Sequence, residues 1–303
     1  IGFVGLDNTG LEGVESIYNT ILNGTPQTAK VTRDARGHLT LTTPNGAVQP
    51  ESESEPLQLS IDLSIQSTAE SALREGIIKA KAHAGSAVVM DVQTGEILAI
   101  ASYPTFDLNA PPASAPEARR FRPLMDALEL GSVVKPLFIS RALEKKKILP
   151  QEKFFCENGS MAVPGGKIRD THPHGMLNAA EIIKVSSNIC TYKVVQRLGR
   201  SGLYDSLVGF GLIRPPGTGL PGEWAGRVGR PESWREMRFA NMAFGQGFAI
   251  STLQLTRAMS ILTGGGIDHG IRLLALTDER AALMPELPPL KVISPETSKL
   301  VTD

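Results

Sequence analysis

Ser86-Ala87-Val88-Val89-Met90-Asp91-Val92, then Gln93-Thr94-Gly95, then Glu96-Ile97-Leu98-Ala99-Ile100-Ala101-Ser102, is the stretch on which the fold turns. Two apolar, β-branched runs of strand length flank a short turn, which predicts a hairpin inside a sheet. Just upstream, Leu57, Leu59 and Ile61 alternate in the manner of a strand. Asp62 then reads as the N-cap of a helix with Ile65, Ala69, Ala72, Leu73, Ile77 and Ala80 on one face. Downstream, a Pro/Ala-rich loop runs from Pro104 to about Pro123. From Gly131 to about Thr263 the pattern is mostly helical, broken by Gly/Pro loops such as Pro215 to Gly222. Helices gathered after a hairpin, with no alternation of strands and helices, predict an α+β fold.

Two units are expected, residues 1–56 and 57–303. In the first, Leu11, Val14, Ile17, Tyr18, Ile21 and Leu22 recur at helical spacing until Asn23-Gly24. Ala29 to Arg33 and His38 to Thr42 follow as β-prone runs joined by Asp34-Ala35-Arg36-Gly37, a second hairpin signal. The acidic tract from Pro44 to Pro56 reads as a solvated linker.

Composition removes several function classes. Among 303 residues, Lys+Arg and Asp+Glu both number 31, and a neutral chain lacks the basic surplus of a nucleic-acid binder. Cys156 and Cys190 have no metal-ligand spacing; a bridge between them is open to the sequence, but a pair of unpaired thiols is the favoured reading. No apolar run reaches the ~20 residues of a membrane helix. Asp170, His172 and His174 lack convincing further metal partners and read as a loop. Trp224 and Trp234 read as packing residues rather than a carbohydrate platform. No phosphate-cradling Gly-rich loop is present.

Chemistry concentrates in Gly131-Ser132-Val133-Val134-Lys135-Pro136. Residues three apart share a helix face, so the Lys135 amine is expected beside the Ser132 hydroxyl. A helix opening at Ser132 would add the positive end of its dipole. Burial can lower a lysine pKa until the amine serves as the base that a serine nucleophile needs. Alone the signal is weak, since about one S-x-x-K is expected by chance in such a chain. Ser186-Ser187-Asn188, after an amphipathic stretch from Ala179 to Val185, supplies a hydroxyl for proton relay and an amide for holding substrate. Taken singly, it reads first as a helix-terminal Ser/Asn turn.

S-x-x-K followed by S-x-N is the order used by active-site serine penicillin-binding proteins and class A β-lactamases. Further blocks carry the likeness. Ile1 to Asp7 with Gly10 to Glu15 is similar to the segment leading into the transpeptidase module of division-type class B penicillin-binding proteins. Ala87 to Asp91, Gly95 to Ala99, Tyr103-Pro104 and Asn109 resemble that family's first hairpin and loop. Thr218-Gly219 with Leu220 to Glu223, and Ala243 to Gly247 with Leu253 to Leu255, resemble it too.

The resemblance implies a β-lactamase/transpeptidase-like sheet flanked by a helical lobe, preceded by the end of an N-terminal pedestal. It further implies a peptidoglycan D,D-transpeptidase of the septal wall, acting on stem peptides and inhibited by β-lactam antibiotics, with no metal or organic cofactor. By that analogy Ser132 is the nucleophile, Lys135 the base, Ser186 a proton relay and Asn188 an anchor for substrate and lysine. One oxyanion donor would be the Ser132 backbone N–H. A septal glycosyltransferase and other division proteins are the implied partners, and the inner membrane, with the catalytic domain outside, is the implied location.

Two departures stand out. Leu130 replaces the proline usual before Gly-Ser, and no Lys-Thr-Gly third motif occurs, although Lys291 to Glu296 resembles the segment upstream of it. The expectation is therefore an encoded protein that continues into such a strand and begins with a membrane anchor, and a sheet that lacks its later strands here. A serine β-lactamase or β-lactam sensor, and a non-catalytic division scaffold, are the alternatives.

Overall fold

The computed structural model describes residues 2–23, 30–33, 36, 39–42, 56–108, 116–277 and 289–303. The acidic tract over 44–55, most of the turn over 34–37, and Asn109 within the Pro/Ala-rich loop lie outside the described residues.

At the N-terminus β1 (Phe3–Val4) pairs antiparallel with β2 (Gly10–Glu12), followed by α1 (Gly13–Ile17) and α2 (Asn19–Leu22). The single helix read from Leu11 to Leu22 is therefore divided. Leu11 belongs to a strand, and Tyr18 leaves the helical region with φ −107° and ψ 19°. β3 (Lys30–Arg33) pairs with β4 (Leu39–Thr42) as the expected hairpin.

Asp62 caps α3 (Leu63–Ala80) by accepting from the Ser64 and Ile65 N–H groups, both at 2.9 Å. Ile65, Ala69, Leu73 and Ile77 form the half-buried stripe, one residue every four, whereas Ala72 and Ala80 face solvent. Alternate residues at i and i+4 track a single seam, and these two alanines fall beyond its width.

The hairpin consists of β5 (Gly85–Met90) and β6 (Ile97–Tyr103), paired from Gly85 opposite Tyr103 to Met90 opposite Ile97. Asp91 fixes the turn by accepting from the Gln93 and Thr94 N–H groups, and Gly95 takes φ +80°. Alternation directs Gly85, Ala87, Ala99 and Ala101 toward α3, and small side chains there let the helix lie close. Val88, Met90 and Ile100 face the opposite way, and the register shift between Val89 and Met90 brings Ile97 with them into a cluster with Leu124 and Leu253. The outer edge of β6 is satisfied without a regular strand. Leu98 O accepts from the Asp62 N–H, Ile100 exchanges hydrogen bonds with the Gln66 amide, and the Ile97 N–H donates to Arg272 O. Among the described residues β5 pairs only with β6.

Two short helices, α4 (Pro116–Arg119) and α5 (Arg122–Met125), lead to α6 (Lys135–Glu144), the axis of the helical lobe. Leu137, Phe138 and Ile139 of α6 are fully buried. The following segment departs from the helical reading. It holds β7 (Phe154–Phe155), β8 (Ser160–Val163), β9 (Gly166–Arg169) and β10 (Met176–Leu177), with β8 paired to β9 and β7 to β10. These pairs are too short to show a period-two signature in sequence.

The lobe continues through α7 (Ala179–Val185), α8 (Asn188–Gly209, interrupted at Gly199), α9 (Glu236–Ala243) and α10 (Thr252–Thr263). Then β11 (Ile267–Asp268) pairs with β12 (Leu290–Lys291), and α11 (Pro295–Thr302) follows. Glu144 at the end of α6 accepts from the Ser294 N–H and from the Ser294 and Thr297 hydroxyls, which ties α11 to the lobe. Trp234 is buried in the lobe core with its indole N–H on Val228 O and is a packing residue, while the half-buried Trp224 donates its indole N–H to Ala249 O.

The cysteines correct the sequence reading. Cys156 and Cys190 form a disulfide, with Cα atoms 5.1 Å apart. The β7–β10 pair lays Cys156 against the first turn of α8, a juxtaposition that residues 34 positions apart do not announce. No described helix is long and apolar enough to cross a membrane.

Candidate active site

Ser132 lies in a 3₁₀ turn, Gly131–Val134, that runs directly into α6. Side chains at i and i+3 eclipse in such a turn, which aligns Ser132 with Lys135. Pro136 is accommodated because the first turn of a helix needs no N–H from it. Ser132 is exposed, whereas Lys135 retains only 1% of its accessible surface.

The backbone around this turn is held by a second segment. Leu128 and Ile250 exchange two hydrogen bonds of 3.0 Å, and the Gly131 N–H donates to Gly245 O at 3.1 Å. The Gly247 N–H donates to the Glu129 carboxylate at 2.9 Å. Gly245 sits at φ +82°, and a Cβ there would lie 2.0 Å from Gly131 O.

The Ser186–Asn188 corner joins two helices. A capping box between Asn178 and Glu181 starts α7, and Ser186 ends it in the left-handed region at φ 57°. Ser187 is the N-cap of α8, its hydroxyl oxygen accepting from the Cys190 N–H at 3.0 Å. Asp170 completes the corner from the loop after β9. Its carboxylate accepts from the Ser187 hydroxyl at 2.6 Å, the Asn188 N–H at 2.5 Å and the Ile189 N–H at 3.0 Å. It thereby satisfies N–H groups that a helix start leaves open.

Lys135 joins the two parts. Its ammonium donates to Ser186 O at 2.6 Å, to the Ser186 hydroxyl at 3.0 Å and to Asn188 Oδ1 at 2.8 Å. Three donors meet three oxygens, so none remains for Ser132, and the expected direct contact between the two is replaced by these bonds. Burial lowers the Lys135 pKa to about 8, partly offset by the negative charge of Asp170. The amine is therefore held near the point where it can exchange a proton at neutral to mildly alkaline pH.

Of the four residues singled out by sequence, Lys135, Ser186 and Asn188 are joined by hydrogen bonds, and Ser132 precedes Lys135 by one turn. Asp170 enters as a fifth member, read in sequence only as part of a His-Pro-His loop. Nothing local could reveal its role, because it caps a helix that begins 18 residues later. Among the described residues no three His, Cys, Asp or Glu side chains are grouped as a metal site would require.

Residues 85–303 match the family model described as the penicillin binding protein transpeptidase domain. The chain is 34% identical over 286 residues, 94% of its length, to a probable peptidoglycan D,D-transpeptidase PenA of Neisseria gonorrhoeae. It is 31% identical over 267 residues, 88% of its length, to the peptidoglycan D,D-transpeptidase FtsI of Escherichia coli K12. It spans about half the length of these curated relatives, 48% and 45% respectively. Among solved structures it is similar to the transpeptidase domain of Burkholderia pseudomallei penicillin-binding protein 3, at 32% identity and a TM-score of 0.70, covering 80% of this chain and 68% of that one. A structure described as a peptidoglycan glycosyltransferase of Burkholderia ambifaria is similar at 32% identity and TM-score 0.71, covering 80% and 71%. The match over residues 85–303 takes in the Ser132 turn, the buried lysine and the Ser186–Asn188 corner together, and the chain belongs to the penicillin-binding protein transpeptidase domain family.

Proposed function

We propose that this chain is the transpeptidase part of a peptidoglycan D,D-transpeptidase acting in septal wall synthesis, with Ser132 as nucleophile. The observation that carries the reading is the Lys135 amine, buried, lowered in pKa and shared between Ser186 and Asn188.

The geometry suggests how the proton moves. Once Lys135 loses a proton, its two remaining N–H groups serve Ser186 O and Asn188 Oδ1. Its lone pair then accepts from the Ser186 hydroxyl, which in turn can accept the Ser132 proton. Ser132 Oγ attacks the penultimate D-Ala carbonyl of a stem peptide, and the returned proton leaves with the terminal D-Ala amine. An amine of a neighbouring stem then takes the acyl group from Ser132. A β-lactam ring presents the same carbonyl and leaves Ser132 acylated. The Ser132 N–H is one oxyanion donor.

Residues 1–56 are assigned to the end of a pedestal and residues 57–303 to the catalytic domain. Tyr18 packs against Leu274 beside Leu57 and Leu59, which supports a pedestal docked on the catalytic body. The disulfide supports a location on the oxidising side of the cytoplasmic membrane, where a protein of this family meets its substrate. A septal glycosyltransferase and other division proteins are the partners proposed with this reading, by the family resemblance of the sequence.

The test is labelled penicillin on the full-length encoded protein. Lasting acylation that Ser132→Ala abolishes is the expected result. Rapid turnover of the label indicates a β-lactamase, and absence of labelling in the unaltered protein indicates a scaffold. An adduct that survives Ser132→Ala would move the nucleophile elsewhere.

A further inference from the structure

The disulfide closes a loop that contains the whole second half of the site. Cys156 and Cys190 are both fully buried, and between them lie Asp170, Ser186, Ser187 and Asn188. Cys190 is also bonded into the corner itself, its N–H on the Ser187 hydroxyl oxygen, while that hydroxyl donates to Asp170. Its side chain anchors the first turn of α8 to the strand pair β7–β10. Around the bridge, Ile139 and Ala142 of α6 pack with Ile182 of α7 and Val194 of α8. The sulfur atoms therefore sit where the helix carrying Lys135 meets the two helices that meet at Ser186–Asn188.

We propose that Cys156 and Cys190 are positioning residues, and that their disulfide holds the Asp170–Ser186–Asn188 corner in register with Lys135 for acylation of Ser132. This rests on the transpeptidase reading. The physical case is one of register rather than affinity. Asn188 Oδ1 and Ser186 Oγ must both stay within hydrogen-bond reach of one amine, and each is fixed by the junction of α7 and α8. Hydrogen bonds and apolar packing hold that junction without a covalent link and permit small shifts of it relative to Lys135. A covalent tie at the third residue of α8 removes that freedom, and a cross-linked loop also has fewer unfolded conformations to lose. Misplacement of a catalytic group by ~1 Å can cost about a hundredfold in rate.

The test measures the acylation rate constant and the dissociation constant for labelled penicillin separately, per mole of folded full-length protein. Oxidised wild type is compared with protein reduced by dithiothreitol, which passes two electrons and two protons to the bridge and is itself oxidised to a cyclic disulfide. Thiol counting confirms reduction. Cys156→Ser, Cys190→Ser, the double serine variant and a Cys156→Ala/Cys190→Val pair complete the set.

The expected result is a loss of about tenfold or more in the acylation rate constant, the same in every bridge-less form, with little change in the dissociation constant. Dithiothreitol should not affect the variants, and reoxidation should restore the wild type. Equal acylation rate constants in fully reduced and oxidised folded protein would overturn the proposal. So would failure of every bridge-less form to fold, because the bridge would then be a stability staple only. Absence of labelling in the oxidised wild type would instead bring down the transpeptidase reading.

Discussion

Lys135 is the base in the reading proposed for this site, and its behaviour with pH is a direct check of that reading. Burial disfavours the charged form of Lys135 and brings its pKa to about 8, while Asp170 pulls the other way. The acylation rate should therefore rise with pH along a limb centred near 8, read from penicillin labelling between pH 6 and 10. Asp170→Asn removes the opposing charge, so the limb should move to lower pH. Its plateau should fall, because the Asn188 and Ile189 N–H groups and the Ser187 hydroxyl then face one amide oxygen instead of a carboxylate. A limb that stays in place would show that Asp170 does not act on the amine. Stability carries the same sign. The folded pKa lies below the ordinary lysine value of 10.5, so burying the ammonium costs stability below pH 8, and that cost fades as pH climbs toward 10.5. Local spacing joins only Ser132 to Lys135; Ser186 and Asn188, 51 and 53 residues after Lys135, were legible because the order of the two motifs resembles that of a known family. Asp170 and the cysteine pair were not, since each acts on a partner distant in sequence.

At the scale of elements, the Gly131–Ser132 turn depends on a neighbour that offers no reactive group. Gly245 presses its Cα against the Gly131 carbonyl and adopts φ +82°, a conformation that side chains rarely take. Gly245→Ala would put a methyl 2.0 Å from Gly131 O, and backbone on both sides leaves little room to yield. The expected outcome is slower acylation of Ser132, with a modest loss of stability of about 1–3 kcal/mol. Rate constants for labelling and urea unfolding of the variant, set beside wild type, would check both. Unchanged acylation would mean that the Gly131–Ser132 turn is held by α6 alone. Hairpin β5–β6, α3 and α7 were readable from periodicity and caps, because each is long enough to repeat its own pattern. The pairs β7–β10 and β8–β9 hide inside the helical reading, since two to four residues per strand cannot establish alternation. Leu11 and Tyr18 mark the same limit from the other side. Val14, Ile17, Tyr18, Ile21 and Leu22 keep the helical spacing across the break at Tyr18 because all pack with Leu57, Leu59 and Leu274. Leu11 in β2 is exposed and shares the spacing without the contact.

Across the molecule, apolar contacts gather into a main cluster in the helical lobe and smaller ones beneath the hairpin, around the disulfide and under the N-terminal helices α1 and α2. One buried charge cluster sits among these layers. Asp268 of β11 accepts from Arg257 of α10 through Nε and Nη2, both at 2.9 Å, and from Arg214 at 2.7 Å. The Gly270 N–H adds a fourth donor, and Arg257 also reaches Pro216 O at 2.8 Å. A helix, a strand and the loop after α8 are thus fastened through one carboxylate. Nothing in the sequence announces it, since α10 ends between the two residues and only the fold brings the Asp268 carboxylate of β11 back to Arg257. Burying such a pair need not add stability over apolar residues of the same shape, but breaking it strands a guanidinium without a counter-charge. Asp268→Ala should therefore cost about 3–5 kcal/mol, seen as a lower urea midpoint in the full-length protein. None of the partners of Asp268 belongs to the Lys135–Ser186–Asn188 cluster, so molecules that remain folded should acylate at the wild-type rate. Asp268→Asn, which keeps an acceptor but loses the charge, should fall between the two in stability. If the folded fraction of Asp268→Ala instead labels more slowly, the carboxylate reaches the site through α10 and the Leu128–Ile250 backbone pair. The lobe would then transmit disturbance to Ser132 rather than merely carry it.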